Sequence, residues 1–302
     1  MVDNVRRKSV RCAAVLPQTA VALALCFCCG VASANTTERI SSSGELVVGY
    51  RETSIPISFT SEKGVPSGYM VDVCARIFES VKLQFKRPAL KLRFVPVKSA
   101  ERIAAVKDGR IDIECASTTN TVDRQKEVAF SYTTFVAGVR FLTRTRDGKA
   151  PAVDELRGKK IGVTLKSSAE KLVLQISKEQ NLGLLIVPAA NQAEAFAKLA
   201  AGEVFAIAGD DALLVTQVAK AQDPMTYVLL GKYLSVEPYS VMHAKGDAEF
   251  ARMIDSALLT IFATGELAKI HAKWFDVGGL KLPMNQYMKE NIRLPNKYGV
   301  QQ

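Results

Sequence analysis

Short apolar runs alternate with helical stripes along most of the chain. Leu46-Val47-Val48-Gly49-Tyr50 is a continuous run of strand length and reads as a buried strand. Met70, Val73, Cys74, Ile77, Phe78 and Val81 then recur at the i, i+3, i+4 spacing of an amphipathic helix. Leu92, Phe94 and Pro96 alternate as a second strand, Ser99 to Lys107 is a short helix stopped by Gly109, and Ile111, Ile113 and Cys115 alternate with Asp112 and Glu114 as a third strand.

A similar order returns further on. Lys160 to Val163 is a strand, Ser167 to Gln180 a helix, Leu184 to Val187 a strand, Ala193 to Ala200 a helix closed by Gly202, and Val204 to Ile207 a strand. Ser167 with Glu170 three residues on forms a capping box. The repeated order predicts an α/β protein of two lobes built from related βαβ units. Two extended apolar segments, Phe135 to Thr143 and Val236 to Met242, are the expected crossovers. The chain would leave the first lobe (35–140), build the second (141–240) and return (241–302), with a ligand cleft between them. Helices Ala248 to Ala263 and Glu266 to Phe275 would pack on the first lobe, and the tail after Asp276 reads as loosely ordered.

The first 34 residues break the pattern. Arg6, Arg7, Lys8 and Arg11 precede an apolar run from Ala13 to Gly30 and a small-residue site ending at Ala34. This is the signature of a secretory signal peptide cleaved after Ala34, which predicts a periplasmic protein. Pro17 and Gln18 interrupt the run, which argues against a membrane anchor. Lipidation at Cys26 or Cys29 ranks lower, because Leu25 stands where a small residue is expected before Cys26.

With the leader set aside, the formal charge falls from +10 to +7, and of six cysteines only Cys74 and Cys115 remain. An exported compartment permits a disulfide between them, and two buried thiols fit the apolar spacing equally well. No Cys or His spacing resembles a zinc site, so no metal and no cofactor are expected. No Lys/Arg stripe with interleaved aromatics predicts nucleic-acid binding. His243 and His271 read as surface residues without a nucleophile partner, and no G-x-S-x-G or phosphate-binding glycine motif follows a strand.

In open α/β sheets, ligands bind beyond the carboxyl ends of strands. Arg51 follows the first strand; Ser117, Thr118 and Thr119 follow the third, with Arg124 soon after; Thr164 and Ser167 follow the first strand of the second lobe; Asp210 follows its third. Ser99 and Arg102 sit at a helix start. Hydroxyls, a helix N-terminus and an Arg fork suit a carboxylate, an Asp suits an ammonium, and two further Arg suit a second carboxylate. Each residue taken singly fits an ordinary N-cap or surface charge; jointly they describe an amino acid with an acidic side chain.

Gly49-Tyr50-Arg51-Glu52, Glu114 to Asn120, Arg124-Gln125-Lys126 and Asp210 to Leu214 resemble the periplasmic glutamate/aspartate-binding proteins of ABC importers, over about Gly44 to Asp276. The resemblance implies a periplasmic-binding-protein fold that closes on its ligand and delivers it to a membrane permease, working as a monomer. By position it implies that Arg124, Thr119 and the helix start at Thr164–Ser167 hold the α-carboxylate. Asp210, helped by Ser117, would take the ammonium, and Arg51, Ser99 and Arg102 the side-chain carboxylate. Gln192 stands where such proteins commonly have His, and Leu165-Lys166 replaces small residues. Two other functions compete. A dehydratase acting on a cyclic carboxylate would need a general acid, for which Glu52 and Glu114 are the candidates, with Glu114 expected to face away. A ligand-sensing module would need a separate signalling partner.

Overall fold

The computed structural model describes residues 35–277 and 280–301. The expected leader lies outside them. Strands β1 (Glu45–Tyr50), β2 (Lys91–Pro96), β3 (Ile113–Glu114) and β4 (Ala129–Ala137) come first. β5 (Val139–Arg144), β6 (Lys160–Thr164), β7 (Leu185–Ala189), β8 (Ala206–Asp210) and β9 (Tyr227–Leu230) follow, then β10 (Glu237–His243). They form two five-stranded sheets, ordered β2-β1-β3-β10-β4 and β7-β6-β8-β5-β9. In each, three strands are parallel and two antiparallel ones complete the sheet.

The chain passes from the first sheet to the second at Gly138, between β4 and β5, and returns through residues 231–236 into β10. The segment from Phe135 to Thr143 is therefore the ends of two strands on different sheets. Gly138 is needed there: a Cβ would lie 2.5 Å from the Tyr233 ring and 2.8 Å from the Ser235 carbonyl, both on the return connection. The two crossovers thus run in contact, which is the arrangement of a two-lobe hinged protein.

The helices are α1 (Thr36–Ser43), α2 (Tyr69–Gln84), α3 (Arg102–Lys107), α4 (Val122–Gln125), α5 (Ser168–Glu179), α6 (Gln192–Ala200), α7 (Asp211–Ala219), α8 (Ala248–Ala263), α9 (Glu266–Phe275) and α10 (Gln286–Arg293). The apolar stripe of α2 packs with those of α8 and α9 into the largest core, around Leu46, Val48, Ile113 and Phe135. Each fully buried Ile, Leu or Phe there contributes up to about 1.5–3 kcal/mol. Tyr69, Phe135, Tyr239, His271 and Phe275 form an aromatic cluster within it. The second lobe has two smaller cores, one on each face of its sheet.

The structure decides one open alternative, at the cysteines, and corrects several expectations. Cys74 and Cys115 are joined, tying α2 to the end of β3 across 41 residues of sequence. His243 and His271 are buried, not surface residues, at 2% and 5% exposure. Burial lowers the pKa of both, that of His271 to about 4. The tail is ordered: α10 docks on β4 through Asn285, which donates to the Val136 carbonyl, and Asn291, which donates to that of Thr133. The capping box at α5 is displaced. Ser167 accepts from the Glu170 N–H at 3.1 Å, but Glu170 reaches back to the N–H of Lys166, not Ser167. Lys166 makes this possible by adopting φ 53°, a left-handed turn. No helix among the described residues is long and apolar enough to cross a membrane.

Candidate functional site

The carboxyl ends of β1, β3, β6 and β8 converge on one tight cavity of about 40 Å³ between the two sheets. Its lining takes Arg51, Ser54, Ser99, Arg102 and Ser117 from the first lobe, and Thr164, Ser167, Ser168, Gln192, Gly209 and Asp210 from the second. Eight of the ten residues singled out from sequence meet here. Thr119 and Arg124 do not line it. Arg124 lies in the adjoining opening, with Lys166, Ser167 and Ser168.

The first-lobe wall is cationic. Arg51 and Arg102 are 6% and 4% exposed. The backbone of Arg51 is fixed by Ser58, whose hydroxyl accepts its N–H at 2.9 Å, which leaves the guanidinium facing the cavity. Arg102 donates to the Thr118 hydroxyl at 3.0 Å, and Thr118 donates to Glu114 at 3.0 Å. Arg124 donates to the Thr119 carbonyl at 2.8 Å. Arg102 and Arg124 both reach the Lys166 carbonyl of the second lobe at 3.4 Å. Burial shows in the acidities of all three, and like charge adds to it at Arg51 and Arg124. Burial and the charge of Arg102 lower the Arg51 pKa to about 10 and that of Arg124 to about 9. Burial also lowers Arg102, partly offset by Glu114 and Asp210.

The second-lobe wall is polar and incompletely paired. Among the described residues, Thr164 Oγ1, Gln192 Nε2 and Asp210 Oδ1 are buried without a hydrogen-bond partner. All three residues line the cavity. Unpaired buried polar atoms are rare in folded proteins, and each calls for a group to meet it. Gln192 opens α6 and lies along the floor only because position 209 is glycine: a Cβ there would sit 2.3 Å from its Oε1. Asp210 accepts a hydrogen bond from the Tyr239 hydroxyl through its other oxygen. Burial, then the nearby Glu237 carboxylate, push the Asp210 pKa up to about 7.

Glu114 and Thr119, and residues that sequence reasoning passed over, complete the site. Glu114 is fully buried and does not line the cavity; it accepts from Thr118 and lies behind Arg102 as a counter-charge. Thr119 donates its hydroxyl proton to Glu237 at 2.6 Å, and its oxygen lies 3.4 Å from that of Ser168 across the cleft. Tyr239 and Glu237 belong to β10, more than a hundred residues beyond the hydroxyl cluster. The one hint was the segment Val236 to Met242, read only as a crossover. Lys171 of α5 and Asp123 of α4 form an ion pair across the cleft mouth. Glu52 is exposed. No group of three or more metal-ligating side chains occurs among the described residues.

Comparison with known proteins agrees with this architecture. Residues 46–277 match the model of the family described as bacterial extracellular solute-binding proteins, family 3. The L-glutamate/L-aspartate-binding protein of Pseudomonas aeruginosa is 35% identical over 302 residues, 97% of this chain and 100% of that protein. The glutamate/aspartate import solute-binding protein of Escherichia coli is 36% identical over 267 residues, 86% of this chain and 88% of that protein. Among solved structures, an ancestral arginine-binding protein bound to arginine superposes with a TM-score of 0.69 at 31% identity, covering 77% of this chain and 98% of that one.

Proposed function

The chain belongs to the bacterial extracellular solute-binding proteins, family 3, and we propose that it captures an acidic amino acid, glutamate or aspartate, between its lobes. The observation that carries this is one cavity walled by Arg51 and Arg102 on one side and by the unpaired Asp210 oxygen on the other. A second carboxylate between the two arginines offsets the burial that depresses both, and the charge of Arg102 that further depresses Arg51. An ammonium at Asp210 meets the unpaired oxygen and favours the charged carboxylate.

In this reading Arg51, Ser99 and Arg102 hold the side-chain carboxylate, and Asp210 with Ser117 holds the ammonium. Arg124 and the first turn of α5, with Thr164 and Ser167, hold the α-carboxylate. Thr119 has given its only hydroxyl proton to Glu237, so it joins the carboxylate only by exchanging that partner. Gln192 offers its unpaired amide to either carboxylate. Groups from both lobes on one ligand favour the closed arrangement by their differential affinity. The closed, monomeric form, exported to the periplasm by its leader, hands the ligand to a membrane permease. The two relatives are named for glutamate and aspartate, which supports the same substrate class here.

The protein binds without turnover. The carboxylates considered as acids lie off the cavity, Glu52 exposed and Glu114 behind Thr118.

Isothermal titration with glutamate, aspartate, glutamine and arginine tests the assignment. Glutamate or aspartate should bind at least about tenfold more tightly than glutamine, since an amide leaves a buried cation unpaired. Equal or tighter binding of glutamine or arginine would sink it, and steady conversion of a cyclic carboxylic acid would refute the absence of turnover.

A further inference from the structure

The loop that carries Thr119 and Arg124 is not held by its own lobe core alone. The last described residues run back across it. The Val300 N–H donates to the Asn120 carbonyl at 3.1 Å, and the Val300 carbonyl accepts from the Val122 N–H at 3.0 Å. This is a parallel bridge between Thr121 and Val300. The Lys297 carbonyl accepts from the Asn120 side chain at 3.1 Å and from that of Gln125 at 3.0 Å. Gln125 also donates to the Asn120 side chain at 2.8 Å, closing a three-way knot. Gly299 makes the approach possible, since a Cβ would lie 2.9 Å from the Val122 nitrogen and 3.0 Å from the Gln125 amide.

The other end of this segment is anchored on the first sheet. The Asn296 carbonyl accepts from the Thr133 N–H of β4 at 3.2 Å, and its side chain donates to Asn291 at 3.0 Å. Lys297 pairs with Asp255 of α8. Residues 296–300 therefore span from the rigid edge of the first sheet to the two sides of α4, and α4 itself is a single turn. A helix that short has no stability of its own in water. The strap adds its bonds to those the loop receives from Pro238 of β10 and from Lys245, and holds both ends of the turn that carries Arg124.

We infer that residues 296–300, through Asn120 and Gln125, are a positioning element for the carboxylate-binding loop. Misplacing a charged fork by a fraction of an ångström weakens a bidentate contact steeply, so the strap sets affinity without touching ligand. This rests on the reading that Arg124 grips the α-carboxylate. Every amino-acid ligand shares that group. The strap should thus act on all ligands alike and leave discrimination, which belongs to Arg51 and Arg102, where it was.

The test uses three variants of the full chain. Val300→Pro removes one bridging N–H, and Gly299→Val forces the strap off α4. Arg124→Ala removes the fork itself. Affinities are measured by calorimetry well below each melting temperature, so that loss of folded protein does not count. Val300→Pro and Gly299→Val should each weaken glutamate, aspartate and glutamine by roughly five- to twentyfold, as for one or two lost hydrogen bonds, with their ratios held within about twofold. Wild-type affinity in both, beside lost binding in Arg124→Ala, would overturn the strap and leave the site reading intact. So would a collapse of the glutamate-to-glutamine ratio, which would put the effect on the other wall. Wild-type affinity in Arg124→Ala would overturn the site reading and the strap with it.

Discussion

The two walls of the cleft are made differently. On the first lobe, charge is fixed before any ligand arrives. Arg102 is wired through Thr118 to a buried Glu114, Arg51 is pinned at its backbone by Ser58, and a disulfide fastens the end of β3 just ahead of the hydroxyl cluster. On the second lobe the polar groups are buried but unpaired, at Thr164, Gln192 and Asp210. One wall is braced and cationic, the other neutral or anionic and incomplete. The contrast explains how closure can be made conditional on ligand. Burying the unpaired groups against bare arginines leaves both sides wanting, and a zwitterion with an extra carboxylate supplies both at once.

The bracing of the first wall is the easiest side to break. Cys115→Ser should cost about 4 kcal/mol of stability in denaturant unfolding, from the loop-closure entropy of a ring spanning 41 residues of sequence. No loss would mean that packing alone holds the end of β3. Next comes Arg124→Ala, where truncating one partner of a buried charged contact should lower glutamate affinity at least about a hundredfold by calorimetry. Arg102→Ala sharpens the contrast in chemistry. It should shrink the preference for glutamate over glutamine by about tenfold, whereas an unchanged ratio would put the side-chain carboxylate elsewhere.

The second wall should answer to pH. The Asp210 pKa is pushed up from 3.8 to about 7, so its contribution to the unliganded fold is full below about 3.8 and is lost as pH rises toward 7. An ammonium requires the charged form. Glutamate affinity should therefore fall about fivefold from pH 7 to pH 6, as the carboxylate takes up its proton. Asp210→Asn should bind weakly with a flat profile, and a wild-type pH slope in that variant would clear Asp210 of the role. The smallest effect expected is that of Gln192→Ala, at or below about 1 kcal/mol in affinity, because it removes one neutral hydrogen bond. A larger loss would make the floor of the cleft a principal contact.

Much of this was legible in the chain. The βαβ rhythm and eight of the cavity residues follow from periodicity and from where ligands bind on open sheets, whereas the expected second crossover, Val236 to Met242, is mostly strand β10 of the first sheet. The misses share a cause. The period of two along β3 says that Glu114 and Cys115 face opposite ways, but both faces of such a sheet are buried, so it does not say which looks toward the ligand. His271 sits on the inner stripe of α9, and its neighbours Phe135 and Tyr69 come from elements far away in sequence. The polar tail reads as loose because its order comes from Asn side chains meeting the edge of β4 and from a few scattered apolar residues, Met288 above all, that seat in the distant core.

By itself, then, the sequence determined which segments become strands and helices, and which polar side chains stand at their ends. Those depend on local periodicity and capping. Tertiary structure alone decided which of those groups share a space and which already have partners: that Thr119 is spent on Glu237, that Asp210 keeps an oxygen free, that Arg102 has a counter-charge behind it, and that the tail returns to Arg124. The physical reason is range. Backbone preferences act over a few residues, whereas hydrogen bonding and charge act over a few ångströms of space, wherever the chain brings them.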